Sequence, residues 1–157
     1  MTIRHKAGTI AGSMVVLLAV FPAMANSPAN ANTGSFNQEA AGYVTTFIGR
    51  VPYAYGGSSP RTGFDCSGLT QYVYGHYGKS IPRTANAQFR YFHRESRSRA
   101  WGGDLVFFHG NSSPNSYVYH VGIYEGSNRM VSAADTRSGI TSQSIWSSYV
   151  TFGTITH

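Results

Sequence analysis

A single cysteine, set where a helix should begin, governs what this chain can be. Pro52-Tyr53-Ala54-Tyr55-Gly56-Gly57 leads into a Ser/Pro/Gly loop and then into Phe64-Asp65-Cys66-Ser67-Gly68-Leu69, and Cys66 is the only cysteine in 157 residues. Beyond it, apolar and aromatic groups recur at positions 66, 69, 72, 73, 76 and 77, the spacing of a helix. Asp65 is a good N-cap, so Cys66 falls in the first turn. There the positive end of the helix and nearby backbone N–H groups favour thiolate over a free-thiol pKa of about 8.5. The stretch reads as a loop that delivers an activated nucleophile, and the rest of the chain must supply a base.

The N-terminus argues for export. Arg4, His5 and Lys6 precede an apolar run from Ile10 to Phe21, and two small-x-small signals follow, Ala23-Met24-Ala25 and Ala29-Asn30-Ala31. This is the pattern of a signal peptide over 1–25, with an alternative cut after residue 31. The run is too short, and too soon broken by Pro22, for a membrane anchor. Residues 26–36, rich in Asn, Ala, Ser and Pro, read as a flexible leader to one domain over 37–157. A secreted chain with one cysteine makes no internal disulfide, which leaves an intermolecular bridge, an inert buried thiol or a reactive one. The Asp-Cys-Ser-Gly context favours the reactive thiol, because a core cysteine needs neither a capping Asp nor a neighbouring glycine.

Of 12 Lys and Arg, ten remain after signal removal against six Asp and Glu, a mildly basic balance suited to an anionic surface, whether a wall polymer, nucleic acid or phospholipid. Five arginines lie between Arg83 and Arg99, but no nucleic-acid motif accompanies them, and the segment reads as a solvated basic edge. No Cys/His/Asp cluster has metal-ligand spacing, and no cofactor is expected.

Along the chain, Ala40, Ala41, Val44, Phe47 and Ile48 predict a helix from a cap at Asn37 to a stop at Gly49. The cysteine helix should stop at Gly78, and Thr84 should cap a third helix reaching about His93. Residues 94–101 read as loop. The period then changes to strands at 104–108, 117–124, 130–134, 139–142 and 150–155, with Trp146 in a helical turn. Helices followed by an antiparallel meander predict an α+β fold with the helices on one sheet face.

Among six histidines, His120 begins a central strand after a turn-rich loop and is the candidate base. His5 lies in the signal and His157 is terminal. His76, His93 and His109 read as surface or loop residues.

Taken in order, Tyr53-x-Tyr-Gly-Gly, Asp65-Cys66-Ser67-Gly68, Gly103-Asp104-Leu105-Val106-Phe107-Phe108 and His120-Val121-Gly122-Ile123-Tyr124 resemble the NlpC-type family of bacterial cell-wall cysteine peptidases, over about residues 37 to 155. The resemblance implies a papain-like core, in which a helix N-terminus meets a strand end. It also implies cleavage of peptidoglycan stem peptides, typically between D-glutamate and a diamino acid. By position, Cys66 would be the nucleophile and His120 the base. Tyr53 would hold substrate or oxyanion beside the thiolate, and the N–H groups of Cys66 and Ser67 would meet the oxyanion. Asp65 would be a structural cap, and Gly103 and Asp104 turn residues. The family's third polar residue, usually His and sometimes Asn or Gln, should lie twelve residues past the base, and this chain has Ser132 there. Ser132 could accept from the ring's Nδ1–H, Asp135 could reach the ring instead, or the third member could be missing. The leading reading is a secreted, monomeric endopeptidase acting on peptidoglycan stems, with no nucleic-acid partner and no membrane insertion after cleavage. The rivals are an inactive wall-binding or interaction protein and a papain-like acyltransferase.

Overall fold

The computed structural model describes residues 28–155. The segment assigned to the signal peptide, 1–25, lies outside them. The first helix, α1 (Pro28–Thr45), begins earlier than the expected cap at Asn37, so the backbone of 28–36 is helical rather than a flexible leader. Pro28 suits a first turn, since its missing N–H is one that a helix start leaves unpaired anyway. Asn37 instead serves as a tether, its Nδ2 donating to Asp104 Oδ1 at 3.0 Å. Phe36, Ala40, Val44 and Phe47 recur at helical spacing and are all buried.

A short hairpin follows, β1 (Ser58–Ser59) and β2 (Gly63–Phe64), where a plain loop was expected. Then come α2 (Cys66–His76) and α3 (Ala85–Tyr91). Helix α2 ends at Tyr77 with Gly78 at φ 73°, the left-handed residue that closes many helices. Thr84 caps α3 by accepting from the Ala87 N–H.

The remaining strands are β3 (His93–Glu95), β4 (Leu105–His109), β5 (Val118–Gly126), β6 (Arg129–Ala133), β7 (Ile140–Ser144) and β8 (Val150–Thr154). They form an antiparallel sheet in the order β3-β8-β4-β5-β6-β7. The fold is α+β, as expected, with two corrections. The last strand does not extend the meander but returns beside β4, and the segment read as loop after α3 contributes β3 at the edge. A three-residue edge strand of sequence His-Arg-Glu has no apolar alternation to announce it. Trp146 also lies outside any helix.

Both sheet faces are covered. The helices pack over Leu105, Phe107, Val121, Ile123 and Val131, while Val106, Phe108, Tyr124, Met130, Ile145 and Phe152 form a second cluster on the far side. This is why Leu105–Phe108 is unbroken apolar sequence: alternate residues serve two cores. Leu69 and Val73, wholly buried on α2, seat that helix on the sheet and contribute about 1.5–3 kcal/mol each. Gly103 and Asp104 do shape the start of β4. Asp104 Oδ2 accepts from the Trp101 N–H at 2.8 Å, and the buried Tyr74 hydroxyl donates to the Gly103 carbonyl at 2.7 Å.

Candidate active site

The N-terminus of α2 is fixed before any chemistry is considered. Asp65 sits in extended conformation, and its Oδ1 accepts the Gly68 N–H at 2.7 Å, the cap expected from sequence. Arg83 grips the same carboxylate with both arms, Nη1 to Oδ1 at 2.9 Å and Nη2 to Oδ2 at 2.7 Å. It also donates to the Ser67 hydroxyl and the Gly57 carbonyl. Arg83 is therefore a clamp rather than part of a solvated edge. A side chain at Gly68 would collide with the Gly57 carbonyl, so glycine is what lets the loop lie against the helix. Gln88 ties in α3, donating to the Ser67 and Pro82 carbonyls and accepting from Thr70.

The Cys66 thiol is half-buried, with the backbone N–H groups of Val121, Ser67 and Cys66 itself close enough to favour its ionised form. Burial is the largest influence and pushes the thiol up, those N–H groups pull it down, and the nearby Asp65 charge pushes it up again. The net direction is upward, which corrects the expectation of a resting thiolate: one helix turn's worth of dipole does not outweigh desolvation. Tyr53 pairs with Phe64 in an isolated bridge. Its hydroxyl is raised first by burial and then by the charge on Cys66, which places it in the thiol's surroundings. The Ser67 hydroxyl is occupied by Arg83 and Asp65, so what Ser67 offers the site is its backbone N–H.

His120 immediately precedes Val121 on β5. Phe108 pairs with His120 but His109 pairs with Val118, so Tyr119 is an extra residue that re-aims the strand at this point. The imidazole is buried, packed edge-on to Phe108 and beside Trp146. Burial lowers its pKa from 6.5 to about 4, so the ring is neutral at neutral pH. Its Nε2 lies 3.0 Å from Ser132 Oγ. Sequence reasoning had assigned that contact to Nδ1; with Nε2 engaged, Nδ1 is the nitrogen left for a thiol.

Ser132 is wholly buried on β6, and Gln143 on β7 donates to its hydroxyl at 2.8 Å. Asp135 folds into its own turn, with Oδ1 accepting from the Arg137 and Ser138 N–H groups. The other histidines among the described residues have structural surroundings. His109 is buried, not a surface residue, with contacts to the Ser116 carbonyl and the Thr151 hydroxyl. His76 stacks on Tyr43. His93 is exposed on β3. Among the described residues no group of three or more His, Cys, Asp and Glu is gathered as for a metal.

Residues Tyr119, His120, Ala134, Asp135, Gln143 and Trp146 line an open cleft of about 380 Å³. A neutral thiol, a neutral imidazole one residue before the Val121 backbone beside that thiol, and N–H groups around sulfur are the parts of nucleophilic acyl transfer. Sequence reasoning missed Arg83, Gln143 and the part played by Trp146. Only the strand register could have found Gln143, through its pairing with Met130.

The model of the NlpC/P60 family matches residues 49–156, and the chain belongs to that family. It is 45% identical over 109 residues to a bifunctional muramidase/DL-endopeptidase of Bacillus subtilis, covering 66% of this chain and 32% of that protein. It is 43% identical over 103 residues to a murein DD-endopeptidase of Escherichia coli, covering 62% and 36%. Among solved structures it resembles a peptidoglycan hydrolase of Mycobacterium tuberculosis, with a TM-score of 0.68, 26% identity, and coverage of 81% and 68%. The chain thus spans about a third of each of these two curated relatives.

Proposed function

We propose that this chain is an exported cysteine endopeptidase that hydrolyses peptide bonds in peptidoglycan stems, between D-glutamate and a diamino acid. The observation that carries the reading is the convergence of Cys66 and His120: the thiol lies beside the backbone N–H of the residue after the imidazole, and that imidazole is neutral. Similarity to peptidoglycan endopeptidases supports the substrate class.

His120 takes the Cys66 proton through Nδ1 as sulfur attacks the stem carbonyl. The N–H groups of Cys66 and Ser67 stabilise the oxyanion, an effect of about 3–4 kcal/mol per donor where it has been measured, with Tyr53 at its side. The protonated ring then returns its proton to the departing amine, leaving a thioester on Cys66. Water, deprotonated by the same ring, releases the stem acid and regenerates the thiol. Because the resting pair is neutral, proton transfer accompanies attack rather than preceding it. No cofactor takes part. Export follows from the signal pattern at 1–25, and no helix among the described residues is long and apolar enough to cross a membrane.

The test is digestion of purified sacculi and of defined muropeptides, with products weighed by mass spectrometry. The reading requires one fragment ending in D-glutamate with a free carboxyl and another beginning with a free diamino acid. Fragments from glycan cleavage alone would overturn it. A second reading, wall binding without cleavage, is favoured by Ser132 alone. It requires sedimentation with sacculi and no product at any pH.

A further inference from the structure

The register aligns three polar side chains across three strands. Phe108 pairs with His120, Ile123 with Val131, and Met130 with Gln143. With a period of two, His120, Ser132 and Gln143 therefore share one sheet face. The distances agree: Gln143 Nε2 to Ser132 Oγ is 2.8 Å, and Ser132 Oγ to His120 Nε2 is 3.0 Å.

We propose that Gln143 completes the site as a positioning residue, controlling through Ser132 which nitrogen of His120 carries the proton. This rests on the reading of His120 as the base.

A hydroxyl offers one hydrogen and two lone pairs. If the Ser132 hydrogen points at His120 Nε2, the neutral ring must carry its proton on Nδ1 and cannot accept one from Cys66. If Ser132 instead accepts from Nε2–H, Nδ1 is free to act. A buried serine with a neutral ring as its one neighbour would turn its hydrogen to that ring. Gln143 changes the balance. Its N–H fills a Ser132 lone pair in one amide orientation, and its carbonyl oxygen receives the Ser132 hydrogen in the other. The structure shows the first, with Nε2 toward Ser132, and the proposed control uses the second, reached by a half-turn of the amide that exchanges O and N within the same shape. In the second orientation the chain runs His120 Nε2–H to Ser132 O–H to Gln143 C=O, holding the ring in its reactive tautomer and stabilising the imidazolium formed on attack. Gln143 would thereby supply, from one strand further out, the amide that Ser132 lacks.

The titratable groups around His120 are Cys66 from α2, Tyr119 on β5 and Asp135 in the β6–β7 turn, while the turn at the opposite end of β5 and β6 carries Glu125 and Arg129. The last two both engage Ser142 instead.

The experiment uses Gln143→Met, Gln143→Glu and Ser132→Asn, with Gln143→Met repeated in the Ser132→Asn background. In ring ¹⁵N NMR of the protein without substrate, wild type should show His120 with its proton on Nε2. Gln143→Met should shift the population toward Nδ1–H, and Gln143→Glu should restore Nε2–H while raising the ring's titration midpoint. This arm is independent of whether the protein cleaves stems. In muropeptide assays, Gln143→Met should lower kcat tenfold or more with KM within twofold. After Ser132→Asn, which reaches the ring directly, the same change should cost less than threefold. An unchanged tautomer in Gln143→Met, equal losses in both backgrounds, or a loss confined to KM would overturn the proposal. Absence of cleavage by wild type, with the tautomer shifts observed, would overturn the proposed function and leave the hydrogen-bond control standing.

Discussion

At the scale of single residues, the site is set by desolvation more than by the helix end. The place of Cys66 in the first turn of a capped helix was legible from sequence, because Asp65 is a strong N-cap ahead of a helical apolar repeat. The thiol's ionisation was not, because burial by Tyr53, β5 and the loop depends on the assembled fold. Alkylation by iodoacetamide checks the point: the rate should rise with a midpoint above the ordinary thiol range of about 8.5, and a midpoint below 7 would contradict it. His120 carries the complementary prediction. Its pKa is about 4 folded and 6.5 unfolded, so between these values the unfolded chain binds more protons. Stability from this group is complete above about pH 6.5 and falls as pH drops toward 4, by on the order of 3 kcal/mol. Urea unfolding at pH 7 and pH 4.5 should show that fall in wild type and a shallower one in His120→Gln. Equal slopes would show that the ring is solvated.

At the scale of elements, what the sequence made plain were the strongly periodic segments and the caps. Helix α2 with Asp65, α3 with Thr84, and the apolar strand Leu105–Phe108 lie where their patterns put them. Hidden were the elements defined by their partners. Strand β3 is polar and acquires its identity from β8, and α1 runs past a polar stretch that composition presented as leader. Arg83 belongs here too, since nothing in a run of spaced arginines tells which one turns inward. Its bidentate grip on Asp65 fixes the Gly57 loop against the start of α2. Removing it in Arg83→Ala should cost about 1–3 kcal/mol and slow cleavage by loosening the thiol's position. Arg83→Lys should recover little of either, because a single ammonium cannot span both carboxylate oxygens. Denaturant melts and kcat together check this, and full recovery by lysine would mean that charge alone matters.

At the scale of the whole molecule, the sheet and the helix layer each bring half of the proposed reaction centre. Cys66 comes from the helices over one face. His120, Ser132 and Gln143 belong to the other face, and the two meet where the Val121 backbone lies beside the thiol. The family resemblance was readable from four ordered motifs because each is a local solution: a cap, a turn, a strand start. The departure at Ser132 was equally visible, but the compensation proposed for it was not, since Gln143 stands eleven residues away on a strand whose register sequence does not reveal. The central claim is that this junction hydrolyses stem peptides through sulfur. The most direct measurement is the rate of muropeptide cleavage by wild type, Cys66→Ala and His120→Ala, each first shown to be folded. The account predicts a loss of about a thousandfold or more in both variants, the scale on which removal of a nucleophile or its base is felt. Undiminished cleavage by Cys66→Ala would contradict it.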